Sequence, residues 1–333
     1  MNINVLITSA GNRNGKRLLK NSQKLSRIKN LQIFGTDIQK NNFNQIFQVP
    51  KLKNKKYASV ISKIIKKFKI GLIIPGSDEE AIYFSQNKSK FKKLKCNIST
   101  VDFKILKKFE NKRNTYKNLE KKKIRIAKWF ESKNFLELKN HINYFKNKKK
   151  DFVIKPIFSR GGRNVSVIRK GLNKVIKKNF GKEIHLNEKK FFEEYLRKYK
   201  KLFPLITMER LYHPAYDLDL LSWKGKIIKT VVRKRLGPQG INGCVIEPVK
   251  REYYKYSKQI VKAFQLSWLY DCDIMLNKDK LPVLIELNPR ISGSLYACIE
   301  NGIPLIDDLV NLHLLKPSKI KHKKIYNKII IRK

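Results

Sequence analysis

Acidic residues are scarce in this chain: 26 Asp and Glu stand against 76 Lys and Arg over 333 residues, a formal charge of +50. Cysteine is scarce too. Cys96, Cys244, Cys272 and Cys298 lie far apart and form no Cys-x-x-Cys pair. That excludes a disulfide framework and a thiolate zinc site, and predicts reduced core thiols. No run approaches the roughly 20 apolar residues that span a bilayer, and mean hydropathy is −0.47. The opening Met1-Asn-Ile-Asn-Val-Leu-Ile-Thr8 enters a strand-like run with no basic flank, so no signal peptide and a cytoplasmic location are expected. What is present argues for a folded protein. Apolar residues make up 41% and aromatics 11%, too many for a disordered chain, and the length suits two or three packed subdomains.

So large a positive excess raises the prospect of a nucleic-acid or anionic-membrane binder. Lysine, however, outnumbers arginine and runs along the whole chain, as in Lys51–Lys56, Lys121–Lys123 and Lys146–Lys150. Arginine, the better reader of bases and phosphates, gathers near the site segments below. The charge therefore reads as solvated surface with an added attraction for a small anionic substrate. Neither a specific nucleic acid nor a membrane is expected as a partner.

Up to about residue 105, apolar runs alternate with helix-like segments: Asn4–Ser9, helix Lys16–Arg27, Leu31–Phe34, the turn Gly35-Thr36-Asp37, helix Tyr57–Phe68 and Gly71–Pro75. This alternation predicts a parallel sheet with crossover helices and a ligand at the carboxyl ends of its strands. Ser9-Ala-Gly-Asn-Arg-Asn-Gly15 is not Gly-x-Gly-x-x-Gly and reads as a tight strand-to-helix turn. Beyond lie a basic helix, Lys139–Lys150, and strands Phe152–Pro156 and Asn164–Arg169 around Ser-Arg-Gly-Gly-Arg. One hairpin follows at Lys224-Gly225, and a second joins Cys272–Asn277 to Leu281–Asn288. Helices Tyr253–Gln265 and Ile306–Leu315 and a short β-like run, Lys328–Ile331, complete a pattern of α/β followed by α+β.

The second hairpin carries the chemistry. A two-residue turn at Asp279-Lys280 sets Asp273 opposite Glu286, and Asn288 projects from the same face. Two carboxylates and an amide oxygen, without His or Cys, suit a hard cation such as Mg²⁺ held against phosphates. Strand interiors disfavour Asp and Asn, so an incidental acidic pair explains them less well. Because Asp273 and Glu286 would repel, neutralising Glu286 is expected to leave the metal-free protein at least as stable.

Glu286-Leu-Asn-Pro-Arg290 with an upstream Asp resembles the metal-binding signature of the ATP-grasp superfamily, in particular its carbamoyl-phosphate-synthase-like members. The resemblance runs in order along the chain. The opening βαβ region resembles the pre-ATP-grasp domain, Asn111-Lys112 the segment whose basic residue contacts phosphate, and Phe152-Val-Ile-Lys-Pro156 the strand whose Lys lies over the α- and β-phosphates. Arg160-Gly-Gly-Arg163 stands at the Gly-rich loop, and Met208-Glu-Arg-Leu211 resembles the hinge that reads adenine. Asn111 replaces the usual Asp, and Tyr216, Asp217 and Asp219 are the candidates for the acid that holds ribose.

The resemblance implies a Rossmann-like pre-ATP-grasp domain over 1–105 and an ATP-grasp domain over 106–315. Within the latter, a lid spans about 120–205 and a metal-binding subdomain about 206–315, with a basic tail over 316–333. It implies ATP with Mg²⁺ (or Mn²⁺), and a ligase that activates a carboxylate as an acylphosphate for attack by an amine or similar nucleophile. Asp273, Glu286 and Asn288 would bind metal. Lys112, Lys155, Arg160, Gly161 and Gly162 would hold phosphate, and Glu209 and Leu211 the base. Arg290 would act on the transferred phosphoryl group, while Arg233 and Arg235 would clamp the substrate carboxylate. Small-molecule substrates and a homodimer fit this reading. A nucleic-acid-binding protein or a nicotinamide-dependent oxidoreductase are the other classes considered; the latter leaves the Glu286-x-Asn288 cluster unexplained.

Overall fold

A computed structural model of the chain describes residues 2–40, 42–158, 163–178, 183–237, 243–320 and, for the backbone alone, 329–331. It contains three sheets in chain order. The first holds β1 (Ile3–Ile7), β2 (Leu31–Asp37), β3 (Ile46–Gln48), β4 (Leu72–Ile74) and β5 (Asn97–Ile98), all parallel in the order β3-β2-β1-β4-β5. Alternation along β1 sends Val5 and Ile7 to one apolar cluster and Leu6 to another. Both faces are covered, which is why these strands read as unbroken apolar runs. Gly35-Thr36-Asp37 is not a turn: it pairs with β3, and that pairing carries β2 on to Asp37. Helix Tyr57–Phe68 buries Tyr57, Ile61, Ile64 and Ile65, a stripe of helical period.

The second sheet holds β6 (Trp129–Ser132), β7 (Phe152–Pro156), β8 (Val165–Ile168), β9 (Ile176–Lys178), β10 (Glu183–Leu186) and β11 (Leu205–Glu209), in the order β6-β11-β7-β8-β10-β9. Helix Phe135–Asn147 packs on it through Leu138, Ile142 and Phe145. It starts earlier than the basic run suggests because Asn134 caps it, accepting from the Glu137 amide.

The third sheet holds β12 (Tyr212–Trp223), β13 (Lys226–Arg235), β14 (Cys244–Glu247), β15 (Trp268–Leu276), β16 (Pro282–Asn288) and β17 (Ile329–Ile331), antiparallel in the order β16-β15-β12-β13-β14-β17. Lys224 and Gly225 have φ of 48° and 75°, the left-handed pair that a two-residue hairpin turn demands. Helix Arg251–Phe264 lays Tyr256, Ile260 and Phe264 against this sheet, and one apolar cluster runs from it to Val5 and Ile7 of the first and to Leu19 on the helix Arg13–Leu25.

The β15–β16 connection corrects the expected turn. It is a three-residue loop, Lys278–Lys280, closed by the Asn277 amide on the Leu281 carbonyl at 3.0 Å. That loop alone would move every partner by one. A bulge between the pairs Ile274–Leu284 and Asp273–Glu286 takes Ile285 out of the ladder and restores the register. Asp273 therefore faces Glu286 by two offsets that cancel.

Candidate active site

Register brings the acids together. β12 and β15 pair Asp217 with Asp273 and Asp219 with Asp271, while β15 and β16 pair Asp273 with Glu286 and Asp271 with Asn288. Directly opposed residues share a face, so all six side chains project to one side. Oxygens of Asp217, Asp271 and Asp273 lie within 4.8 Å of one another. Burial pushes the Asp273 and Asp271 carboxyls up, and neighbouring carboxylates add to it. At Asp217 burial acts the same way, but Arg235 and Arg233 outweigh it and hold that carboxyl low.

Two arginines from β13 meet this cluster in different ways. Arg233 is wholly buried; its Nε and one terminal nitrogen grip Asp219 at 2.6 and 3.0 Å, and the other reaches Asp217 at 3.2 Å and Ser294. It does not line the cavity. Its expected role as a substrate clamp is therefore corrected: it is the counter-ion that holds the buried acids in place. Arg235 does line the cavity, bonded to Asp217 and, at 2.6 Å, to Asp273. Arg290 is held between Asp78 at 3.2 Å and Asp271 at 2.7 Å.

Two lysines approach from the other side. Lys112, in the first turn of helix Lys112–Lys121, donates to Glu286 at 2.8 Å. This overturns the expectation for Glu286: its charge balances a buried ammonium, so neutralising it has a cost. Lys155 on β7 is 4% exposed and donates to the Tyr116 hydroxyl at 2.9 Å. Burial and the nearby Lys112 charge push its pKa down to about 7. Asn111 caps the helix through the Asn114 amide and has no direct place in the site.

One cavity of about 1330 Å³ connects these groups. It runs from Asn12 and Arg13 beside the first sheet, past the acids and lysines, to Met208, Glu209 and Leu211 on the second. The Glu209 amide donates to the Lys128 carbonyl and its carboxylate takes Lys150 at 2.8 Å. Of the acids considered for ribose, Asp219 is locked by Arg233, while Tyr216 is buried with its ring 5.3 Å from that of Tyr253. Neither lines the cavity; only Asp217 does. Arg160, Gly161 and Gly162 lie outside the described residues, as does the interior of the Gly237–Gly243 loop.

The donor set suits a hard cation: it is all oxygen, and Asp271 Oδ1, though buried, accepts no hydrogen bond among the described residues. Asp271 and Tyr116 were not legible as site residues. The signal for Asp271 was present as three i, i+2 charged pairs, Asp217/Asp219, Arg233/Arg235 and Asp271/Asp273, but it needed the pairing of β12 with β15. The Ser9–Gly15 turn is closed: Asp37 accepts from the Gly11 amide at 2.8 Å, and a Cβ at Gly11 would meet the Asp37 carboxyl carbon at 2.5 Å.

Residues 201–332 match the family described as ATP-grasp in the biosynthetic pathway with Ter operon, and residues 5–99 match the PylC-like N-terminal domain. No curated protein matches in sequence. Among solved structures, L-amino acid ligase from Bacillus licheniformis superposes with a TM-score of 0.65 at 16% identity, covering 96% of this chain and 77% of its own. The ADP complex of N5-carboxyaminoimidazole synthetase from Staphylococcus aureus gives 0.66 at 12% identity, over 97% and 80%. The biotin carboxylase domain dimer of Hydrogenobacter thermophilus 2-oxoglutarate carboxylase, with MgADP and bicarbonate, gives 0.62 at 14%, over 97% and 70%. At these identities the structural likeness is one of fold. That likeness agrees with the two family matches, which make residues 201–332 similar to ATP-grasp proteins and residues 5–99 similar to the PylC-like N-terminal domain.

Proposed function

We propose that the protein is an ATP- and Mg²⁺-dependent ligase that activates a carboxylate as an acylphosphate for attack by an amine or similar nucleophile. The observation that carries this reading is a single cavity in which two buried lysines face a cluster of carboxylates with an unsatisfied oxygen. When bound, Mg²⁺ or Mn²⁺ would supply positive charge against the phosphates. Asp273, Glu286 and Asn288, with Asp271 beside them, are the residues to hold it. Lys112 and Lys155 supply positive charge to the phosphate chain. Glu209 and Leu211 border the base, and Arg290 is placed for the transferred phosphoryl group, where fixed positive charge lowers the barrier. Arg235 is the arginine left for the acceptor side.

In the first step a substrate carboxylate oxygen bonds to the γ-phosphorus and ADP leaves. In the second the amine nitrogen bonds to the acyl carbon, phosphate leaves, and the nitrogen gives up a proton. The division at about residue 105 and the lid over about 120–205 belong to this reading, which is supported by the three sheets falling within residues 3–98, 129–209 and 212–331. So does a homodimer, tested by light scattering, and a cytoplasmic location, favoured by four buried free cysteines. The test of activity is a screen of acids paired with amines for ADP release. Release that needs Mg²⁺ and both partners supports the proposal, and no release with any pair, despite Mg²⁺-ATP binding, contradicts the ligase assignment.

A further inference from the structure

The two cavity lysines are held differently. Lys112 has a carboxylate partner in Glu286, whereas among the described residues Lys155 donates a hydrogen bond to Tyr116 alone. Tyr116 is 1% exposed, and its own proton goes to the Ile285 carbonyl at 2.6 Å. Ile285 is the residue that the β16 bulge removes from the ladder, next to Glu286. Tyr116 also lies four residues after Lys112, one helical turn on, so both stand on one face of the same helix. A tyrosine buried only for packing needs one partner for its hydroxyl. This one spends its proton on the metal strand and offers its lone pair to the ammonium.

We infer that Tyr116 is a positioning residue that fixes the Lys155 ammonium for the nucleotide's phosphate chain and couples it to the strand carrying Glu286. The inference rests on the proposed ATP-dependent function. The groups facing Lys155 are Lys112 and Tyr116 from the helix and Asp273 and Glu286 from the β15–β16 hairpin; its partner on β11, Ile206, carries no charge. Burial keeps the Tyr116 hydroxyl protonated far above neutrality. The charged form of Lys155, disfavoured by burial and by Lys112, is favoured at longer range by Glu286 and Asp273, and Tyr116 supplies its hydrogen-bond acceptor.

Tyr116→Phe keeps the ring, its edge contact with Trp129 at 5.4 Å and the helix, and removes only the hydroxyl. Mg²⁺-ATP affinity at pH 7.5 should weaken about tenfold, the scale of one charge-assisted hydrogen bond, with KM rising by a similar factor and kcat changing less. The pH at which ATP binding fails should move to lower values, because the ammonium loses its acceptor and deprotonates earlier. A purely structural role would lower the melting temperature and leave that pH midpoint in place. Calorimetric ATP titrations from pH 6 to pH 9 on both proteins read these effects. Normal wild-type binding with an unchanged affinity and midpoint in Tyr116→Phe overturns this inference alone; absence of ATP binding in the wild type overturns the parent reading. If the variant does not fold, mass-spectrometric acetylation of wild-type Lys155 decides. A rate rising through neutral pH and blocked by Mg²⁺-ATP supports the inference, and a rate rising only in the range of an ordinary lysine overturns it.

Discussion

Two carboxylate sites at strand ends invite comparison. Glu80, beside the first sheet, is buried and takes hydroxyl donors from Tyr57 at 2.8 Å, Thr8 at 2.7 Å, Ser9 at 2.6 Å and Ser77 at 2.9 Å. Every donor is neutral and the site is closed. The cluster on β12, β15 and β16 is its opposite: carboxylates face carboxylates, burial and repulsion push Asp271 and Asp273 up, and Asp271 Oδ1 is left without a hydrogen bond among the described residues. An acid whose donors are complete holds the fold together. Acids crowded together, with one buried oxygen still lacking a donor among the described residues, are arranged for a ligand that brings positive charge.

The largest effect should come from breaking the part of the open cluster that behaves like the closed site. Arg233→Ala leaves Asp219 buried without its counter-ion and takes one of two arginines from Asp217, and should cost about 3–5 kcal/mol, read by urea unfolding. Glu286→Gln should instead act on chemistry. ADP release should fall by roughly two orders of magnitude, the scale of a lost electrostatic stabiliser. Stability should fall by only about 1–2 kcal/mol, since Lys112 keeps an amide oxygen as acceptor. Glu80→Gln reverses the pattern: a loss of about 1–3 kcal/mol, as an amide NH₂ meets hydroxyl donors, with Mg²⁺-ATP affinity unchanged within about twofold. If Glu80→Gln abolished ATP binding while Glu286→Gln spared it, the comparison would be inverted.

Lys155→Met sharpens the contrast through pH. The folded protein holds Lys155 at about 7, below its unfolded value, so between those two values the unfolded chain binds the extra proton and wild-type stability rises with pH. The variant lacks this slope. It should be more stable than wild type at and below pH 7, with the gap closing as pH rises, while losing ATP-induced stabilisation. Melting temperatures at pH 6.5 and pH 9 check it. Smaller still, oligonucleotide binding by the +50 surface should be weak and vanish between low and physiological salt. Tight, sequence-dependent binding at physiological salt would restore the nucleic-acid reading.

Much of this was legible in the sequence. Helix Tyr57–Phe68 follows from its apolar period, and the Lys224-Gly225 turn from the need for two positive φ values. What escaped was set by long-range pairing. Gly35–Asp37 became strand only because β3 pairs with it. The Asp273–Glu286 pair was reached through a two-residue turn, whereas the chain uses a three-residue loop and a bulge whose shifts cancel. Arg233 could not be told from Arg235 without knowing that β12 carries Asp219 beneath it, since both stand at the same alternation on one strand. Burial, which separates a counter-ion from a residue open to substrate, is not written in local spacing.

The most direct test of the central claim, that this cluster and its two lysines form a Mg²⁺-ATP site, is a calorimetric titration of the wild-type protein with ATP, with Mg²⁺ and with chelator. The account predicts saturable binding that depends on Mg²⁺, is lost in Glu286→Gln, and is not reproduced by NAD. Equal heats with and without Mg²⁺, or NAD binding as well as ATP, would contradict it.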